Sequence, residues 1–199
     1  KFGTNIKQVD VAVVMDCTGS MGGSITNLQT NLSTTLFPKL VAAIPSTGLS
    51  VVYHDDYPVS PYGTPSCGAT TLPGDLPVGV VQTITTDLAK AQTAAGKLSL
   101  HCGSDGPEAQ IPAMFHVLTG EALTWPGGSV AKHTPVAGTF GGVDFRPGSL
   151  SVVVEITDVD WHGAGHTPYS FPAPDMPELK KAFNDQNAKF VDITNGAWT

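Results

Sequence analysis

The segment Val9-Asp10-Val11-Ala12-Val13-Val14-Met15, followed by Asp16-Cys17-Thr18-Gly19-Ser20, decides the fold. Its nearly continuous run of apolar, mostly β-branched residues is typical of a strand buried on both faces, as in a parallel sheet. A carboxylate and two hydroxyls then follow at alternate positions. We therefore expect a core strand with an oxygen-rich loop at its carboxyl end.

Further apolar strands alternate with amphipathic helices along the rest of the chain. Strands are predicted at residues 49–53, 150–156 and 189–193, with a short strand or connector at 98–101. Helices are predicted at about residues 24–44, 86–95, 107–118 and 176–186. This alternation predicts an α/β fold with a doubly wound, mostly parallel, Rossmann-like sheet flanked by helices.

The length and composition fit a single domain over residues 1–199. Apolar residues make up 41% of the chain, enough for a sizeable core at this length. The chain also contains 22 Gly and 16 Pro. Two stretches rich in loop-forming residues, 56–79 and 125–148, are predicted as long irregular insertions into this domain.

The net charge of the chain limits the kinds of molecule that it is expected to bind. A formal net charge of −7 argues against a nucleic-acid partner, because phosphate binding needs clustered Lys and Arg. No apolar run reaches the roughly 20 residues that span a membrane. Low charge and scarce Lys favour an extracellular or cell-surface protein. Cys67 and Cys102 lie in loop-like segments, and the sequence leaves open whether they form a disulfide.

Three predicted loops carry acidic residues at the same edge of the sheet. Ligands of such sheets bind beyond the carboxyl ends of the strands, here after residues 15, 100 and 156. Carboxylate and hydroxyl oxygens in these loops suit a hard cation such as Mg²⁺. Taken singly, the first loop also fits a helix N-cap, and residues 103–109 fit an ordinary helix start.

Two of these loops resemble a known family. Asp16-Cys17-Thr18-Gly19-Ser20-Met21-Gly22 resembles the Asp-x-Ser/Thr-x-Ser signature of the metal-ion-dependent adhesion site in von Willebrand factor A domains. Gly103-Ser104-Asp105-Gly106-Pro107-Glu108 resembles the Asp-x-Pro-Glu segment of integrin β-subunit I-like domains. The strand end at Asp158 is similar to the family's third metal loop. The resemblance covers residues 9–193.

The resemblance implies a binding module rather than an enzyme. One divalent cation, Mg²⁺ or alternatively Mn²⁺ or Ca²⁺, would capture an Asp or Glu of a protein partner. The residues implied around this metal are Asp16, Thr18, Ser20, Glu108 and Asp158. A ligand-facing rim is expected at Asp160, Trp161 and His162.

The resemblance also implies departures from the family. Asp105 and the carbonyl of Pro107 correspond to ligands of a second cation, but Gly103 replaces the family's usual asparagine. After Ile193 the family pattern has a helix, an edge strand and a final helix. We therefore expect the fold to be truncated at its C-terminus in this chain.

Several alternatives remain open at this point. The chain could be an Mg²⁺-dependent phosphoryl-transfer hydrolase with Asp16 as nucleophile, or a structural assembly domain with a vestigial site. His162 and His166, with Asp160, suggest zinc, although the glycines between them disfavour it. Residues 54–56 are interpreted as a solvated strand end in preference to a cation site. Cys17 is disfavoured as a nucleophile because its neighbours are carboxylates.

Overall fold

The computed structural model describes residues 6–194, so residues 1–5 and 195–199 of the predicted domain lie outside it. The strands are β1 Gln8–Asp16, β2 Ser46–His54, β3 Gly79–Thr85, β4 Leu123–Trp125, β5 Gly128–Val130, β6 Leu150–Ile156 and β7 Lys189–Ile193. Five of them form one sheet in the order β3-β2-β1-β6-β7. Every neighbouring pair is parallel except β2 and β3. The mostly parallel α/β class is confirmed.

The central strand β1 is buried on both faces, as its apolar run predicts. Val11, Val13 and Met15 belong to the core on one face of the sheet, which also includes Ile25 of the first helix. Ala12 and Val14 belong to the core on the other face. Burial on both faces removes apolar side chains from water, which stabilises the fold by about 25 cal/mol per Å² of apolar surface buried. This packing holds β1 between β2 and β6.

Helices cover both faces of the sheet. Their ranges are α1 Gly22–Asn31, α2 Phe37–Ala43, α3 Leu88–Ala95, α4 Gln110–Thr119 and α5 Met176–Asp185. The predicted helix at 24–44 is divided, because residues Leu32–Leu36 between α1 and α2 form a π-helical turn. The core on one face contains side chains of α1 and α3, and the core on the other face contains those of α4 and α5.

The structure differs from the sequence-based predictions of elements in two further places. β3 is absent from those predictions, and it pairs antiparallel with β2 at the edge of the sheet. Residues 98–101 form the connector that was predicted as the alternative to a short strand. The third predicted helix begins at Gln110 instead of Pro107, so Glu108 precedes α4 and forms an isolated parallel bridge with Trp161. α4 ends at Thr119, and Gly120 follows it with a left-handed φ of 71°, as is typical after a helix.

The end of the loop at 125–148 lies at the amino edge of the sheet. It contains β5, which pairs with β4, and then Arg146, whose Nε donates to Asp10 Oδ1 over 2.7 Å. Asp10 Oδ2 also accepts from the Arg146 backbone N–H at 2.7 Å and from Ser149 Oγ at 2.8 Å. Because Asp10 lies near the amino end of β1, these contacts hold this part of the loop at the opposite edge.

We predict that Arg146→Ala lowers the free energy of unfolding by about 3 kcal/mol, because it leaves the buried Asp10 carboxylate without its counter-charge. Urea unfolding at neutral pH measures the change. Lys132→Ala is the matched control: it removes an exposed ion pair with Glu121 and should change the value by at most about 0.5 kcal/mol. A loss below about 1 kcal/mol in Arg146→Ala would contradict the role of this pair.

Candidate metal centre

Parallel pairing brings the ends of β1, β2 and β6 to one edge of the sheet. Asp16 pairs with His54 in the register of β1 and β2, and Met15 pairs with Ile156 in that of β1 and β6. The loops that follow these strands, together with residues 101–109, therefore meet at this edge. His101 N–H donates to the Cys17 carbonyl at 2.8 Å, which attaches the 101–109 segment to the loop after β1.

Asp16 is fully buried and holds the first loop in its turn. Its Oδ1 accepts from the backbone N–H of Thr18 at 2.8 Å and from Thr18 Oγ1 at 2.7 Å. Its Oδ2 accepts from Thr157 Oγ1 at 2.7 Å. Hydrogen bonds to both oxygens fix the orientation of the carboxylate.

Ser20 and Asp158 connect the first and third loops. Ser20 Oγ donates to Asp158 Oδ1 over 2.8 Å, although the two residues are 138 positions apart in sequence. Ser20 is exposed and Asp158 is half-buried. These two side chains therefore lie at the solvent side of the edge, whereas Asp16 and Thr18 lie beneath the surface.

Glu108 lies beside the first loop with its carboxylate buried. A Cβ atom built on Gly103 would lie 2.5 Å from Glu108 Oε1 and 3.1 Å from Thr18 Cγ2, so both side chains border the space at Gly103. The backbone of Glu108 is fixed on both sides: its N–H donates to the Asp160 carbonyl, and its carbonyl accepts from His162 N–H. Its Oε2 is buried without a hydrogen-bond partner.

The environment of Glu108 strongly disfavours the ionised form of its carboxyl group. Burial is the largest cause, and the charges of Asp56, Asp16, Asp55 and Asp105 add to it; together they raise the pKa of Glu108 to about 11. An orphaned buried carboxylate among other carboxylates fits a site for a cation. The five residues implied for the metal thus lie around one edge of the sheet, and Thr18, Ser20, Glu108 and Asp158 offer oxygens there.

The interpretation of residues 54–56 as a solvated strand end is wrong. All three residues are buried, and each ionisable side chain there faces a partner from a distant segment. Histidine nitrogens and carboxylate oxygens form three buried pairs in this region: His54 with Glu155 at 2.7 Å, His101 with Asp55 at 2.8 Å, and His162 with Asp56 at 3.1 Å. The sequence signal was the run of two acids directly after an apolar strand.

These pairs change the proton affinities of their members. Burial lowers the pKa of His54, but the charge and hydrogen bond of Glu155 outweigh it and raise the pKa to about 9. Burial raises the pKa of Asp55 to about 6 although the hydrogen bond from His101 opposes it. His54 and Glu155 therefore form a buried pair beneath the centre, next to Asp16 in the sheet register.

The three residues predicted as a rim lie at different depths in the structure. Asp160 is exposed and Trp161 is half-buried beside Glu108, but His162 is only 1% exposed and belongs to the interior. The predicted second-cation residue Asp105 has its Oδ2 3.3 Å from His162 Nε2. Pro107 is half-buried. His166, paired with His162 in the zinc hypothesis, is exposed, and its ring contacts that of Trp161 in a tilted arrangement.

A disulfide and the side chain of Asp75 attach loop 56–79 to the 101–109 segment. Asp75 is not among the site residues predicted from the sequence. Cys67 and Cys102 form a disulfide. Asp75 Oδ1 accepts from the backbone N–H groups of Cys102 at 3.0 Å and Gly103 at 3.3 Å, and its Oδ2 accepts from Thr64 N–H at 2.8 Å. This loop therefore flanks the centre.

Cys17 is buried and does not have the environment of a nucleophile. Burial and the negative charges of Asp55 and Asp16 raise the pKa of its thiol far above the ordinary value. The thiolate is the reactive form of cysteine, so this side chain is chemically inert near neutral pH.

Comparison with known proteins adds information on the fold. No family model and no curated protein matches the sequence. Among solved structures, the chain is similar to proximal thread matrix protein 1 from the mussel byssus, with a TM-score of 0.52 and 13% sequence identity over 95% of this chain. The chain spans 38% of the length of that structure. At this identity the likeness concerns the fold alone.

We predict that Glu108→Gln stabilises the protein in a chelator at pH 8. The folded-state pKa of Glu108 lies above its ordinary value of 4.5, so unfolding releases a proton and wild type loses stability as pH rises above that value. The neutral amide removes this loss. Urea unfolding in EDTA should show Glu108→Gln above wild type at pH 8, with a smaller difference at pH 5.

The exposed Glu121→Gln is the control for this comparison and should show no such pH-dependent gain. If wild type is as stable as Glu108→Gln, or more stable, at both pH values, then ionisation of the buried Glu108 carboxyl group does not destabilise the folded state.

Proposed function

We propose that this chain is a domain of the von Willebrand factor A type that binds one divalent cation and uses it to dock an acidic protein partner. The observation that carries the proposal is the convergence at one sheet edge of Asp16, the Ser20–Asp158 pair and the orphaned carboxylate of Glu108. This placement agrees with the rule that ligands bind at the carboxyl ends of parallel strands.

The donor set fits a hard cation. Thr18 and Ser20 offer neutral hydroxyl oxygens, and Asp16, Glu108 and Asp158 offer carboxylates, which is the chemistry that Mg²⁺ prefers. Mn²⁺ and Ca²⁺ accept the same donors, and Mg²⁺ is our proposal among the three. A positive charge here would offset the repulsion among the carboxylates that raises the pKa of Glu108.

Each residue has a separate part in holding such an ion. Asp16 and Thr18 are locked together beneath the surface by two hydrogen bonds, so the floor of the site is already ordered. Ser20 and Asp158 lie at the solvent side. When bound, the cation supplies an electrophilic position that a carboxylate of a partner can occupy. The neutral hydroxyls limit the negative charge of the site and leave that position attractive to an acidic group.

Residues around the centre offer a surface for the partner. Asp160 and Trp161 lie beside Glu108, and exposed residues of loop 56–79, including Ser60, Pro61 and Thr64, lie on the loop clamped to the 101–109 segment. The disulfide within this arrangement supports an extracellular or cell-surface location, because such bonds persist in oxidising compartments. Among the described residues, no helix is long and apolar enough to cross a membrane.

We predict that Mg²⁺ raises the melting temperature of chelator-treated wild type by roughly 5–10 °C at about 100 times its Kd, since a ligand of the folded state stabilises it by about 2.7 kcal/mol there. Asp16→Ala should abolish the shift. Ser20→Ala, at an exposed position, should reduce it without disturbing the fold. Asp185→Ala, an exposed acid of α5, is the matched control and should keep the full shift. An unchanged melting temperature in wild type would contradict the proposed site.

The docking role is tested with a displayed library of random peptides selected on immobilised protein in Mg²⁺. We predict enrichment of sequences with a fixed Asp or Glu, whose binding is lost in EDTA and in Asp16→Ala. Replacing the enriched acid by Asn or Gln should weaken binding at least tenfold, because it removes a charge-assisted contact. Selection without an acidic preference, or turnover of a generic phosphate monoester, would contradict the docking role; the latter would favour the hydrolase.

A further inference from the structure

A second group of ionisable side chains lies next to the centre and shares no ligand with it. One donor atom each from Asp56, Asp105 and His162 lies within 4.8 Å of the other two. Asp56 and His162 are buried, and Asp105 is at the surface. The group therefore has a closed interior side and one open side.

The hydrogen bonding of His162 determines which ring nitrogen faces the carboxylates. Its Nδ1 contacts the backbone carbonyl of Thr167, which can only accept, so Nδ1 carries a proton. In the neutral ring, Nε2 then presents a lone pair. It lies 3.1 Å from Asp56 Oδ2 and 3.3 Å from Asp105 Oδ2. Three electron-rich atoms then face one another, so a positive charge is needed among them, supplied either by a second proton on the ring or by a bound cation.

Asp56 supplies an independent sign that a ligand belongs in this group. Its Oδ1 accepts from the hydroxyl of Tyr169 at 2.6 Å. Its Oδ2, fully buried and directed at His162, has no hydrogen-bond partner of acceptable geometry. A buried charged oxygen left in this way costs more than an ordinary lost hydrogen bond unless another group satisfies it.

The separations are compatible with ligands of one metal ion. Charge-assisted N–H···O contacts are about 2.7–2.9 Å long. Ligand atoms placed tetrahedrally at about 2.0 Å from one ion lie about 3.3 Å apart. The distance from His162 Nε2 to Asp105 Oδ2 is 3.3 Å, and the distance to Asp56 Oδ2, 3.1 Å, lies between the two values.

We propose that Asp56, Asp105 and His162 form a site for a borderline divalent transition ion such as Zn²⁺, with the fourth position open to solvent beside Asp105. Imidazole with two carboxylates is a donor set that suits Zn²⁺ and not Mg²⁺. The Thr167 carbonyl and the Tyr169 hydroxyl orient the ligands from behind, as outer partners do in protein zinc sites.

This site would join three segments that also present the first centre. Asp56 follows β2, Asp105 lies three residues before Glu108, and His162 lies four residues after Asp158. An ion there would cross-link these loops. The inference goes beyond the docking function and does not depend on Mg²⁺ binding at Asp16.

The test uses the full chain, treated with chelator and then held in excess Mg²⁺. Co²⁺ is titrated first, because its visible absorbance reports a low-coordinate site with a nitrogen ligand, and Zn²⁺ is then added as competitor. We expect one Co²⁺ per chain, displaced by one Zn²⁺. His162→Gln should weaken binding at least tenfold, since it removes a ligand. His166→Gln, an exposed histidine of the same loop, should leave the titration unchanged.

If His162→Gln fails to fold, the exposed Asp105→Asn gives the same comparison and should also weaken binding. Failure of the wild type to bind Co²⁺ or Zn²⁺ would overturn the inference, as would binding that neither variant changes; His162 would then act as a protonated counter-charge. The Mg²⁺-dependent melting shift is recorded on the same samples. Because the two centres share no ligand, a negative result in the Co²⁺ and Zn²⁺ titration does not affect the interpretation of the Mg²⁺-dependent melting shift, and the reverse also holds.

Discussion

Buried negative charge at the carboxyl edge of the sheet is the constraint on which the rest of the site depends. Asp16, Asp55, Asp56 and Glu108 are all removed from water within loops that meet there. Isolated ions in such an environment are strongly unfavourable, so each needs a partner. Asp16 receives three hydrogen bonds, Asp55 faces His101, and Asp56 faces His162. Asp55, Asp56 and Glu108 each keep one buried oxygen without a hydrogen-bond partner, and the oxygen of Glu108, beside the first loop, motivates the proposed cation.

The fold creates this constraint and also stabilises it. A central strand buried on both faces can present its next residue only at the sheet edge, and β2 and β6 do the same beside it. Asp75 and the Cys67–Cys102 disulfide then hold loop 56–79 against the segment that carries Glu108. Apolar packing in the sheet therefore opposes the repulsion among the carboxylates, and so do the disulfide and the hydrogen bonds of Asp75 in the loops.

Much of this arrangement could be predicted from the sequence, because strong local patterns encode it. The apolar runs of β1, β6 and β7 and the oxygen-rich loop at residues 16–20 are readable without a structure. β3 was missed because Val80-Val81-Gln82-Thr83-Ile84-Thr85 follows a Pro-rich stretch and is only half-buried along an edge. The two acids directly after β2 are a local signal of a site, but their burial depends on His101 and His162, which are distant in sequence, so the sequence does not predict it.

A divalent cation at the edge of the sheet, among Asp16, Ser20, Glu108 and Asp158, is the central proposal for this protein. Anomalous diffraction from crystals of the chain grown in Mn²⁺ locates such an ion directly, independently of any effect on stability. We predict an anomalous peak beside Ser20 Oγ and the carboxylates of Glu108 and Asp158. Well-ordered side chains at these positions with no anomalous peak between them would contradict it.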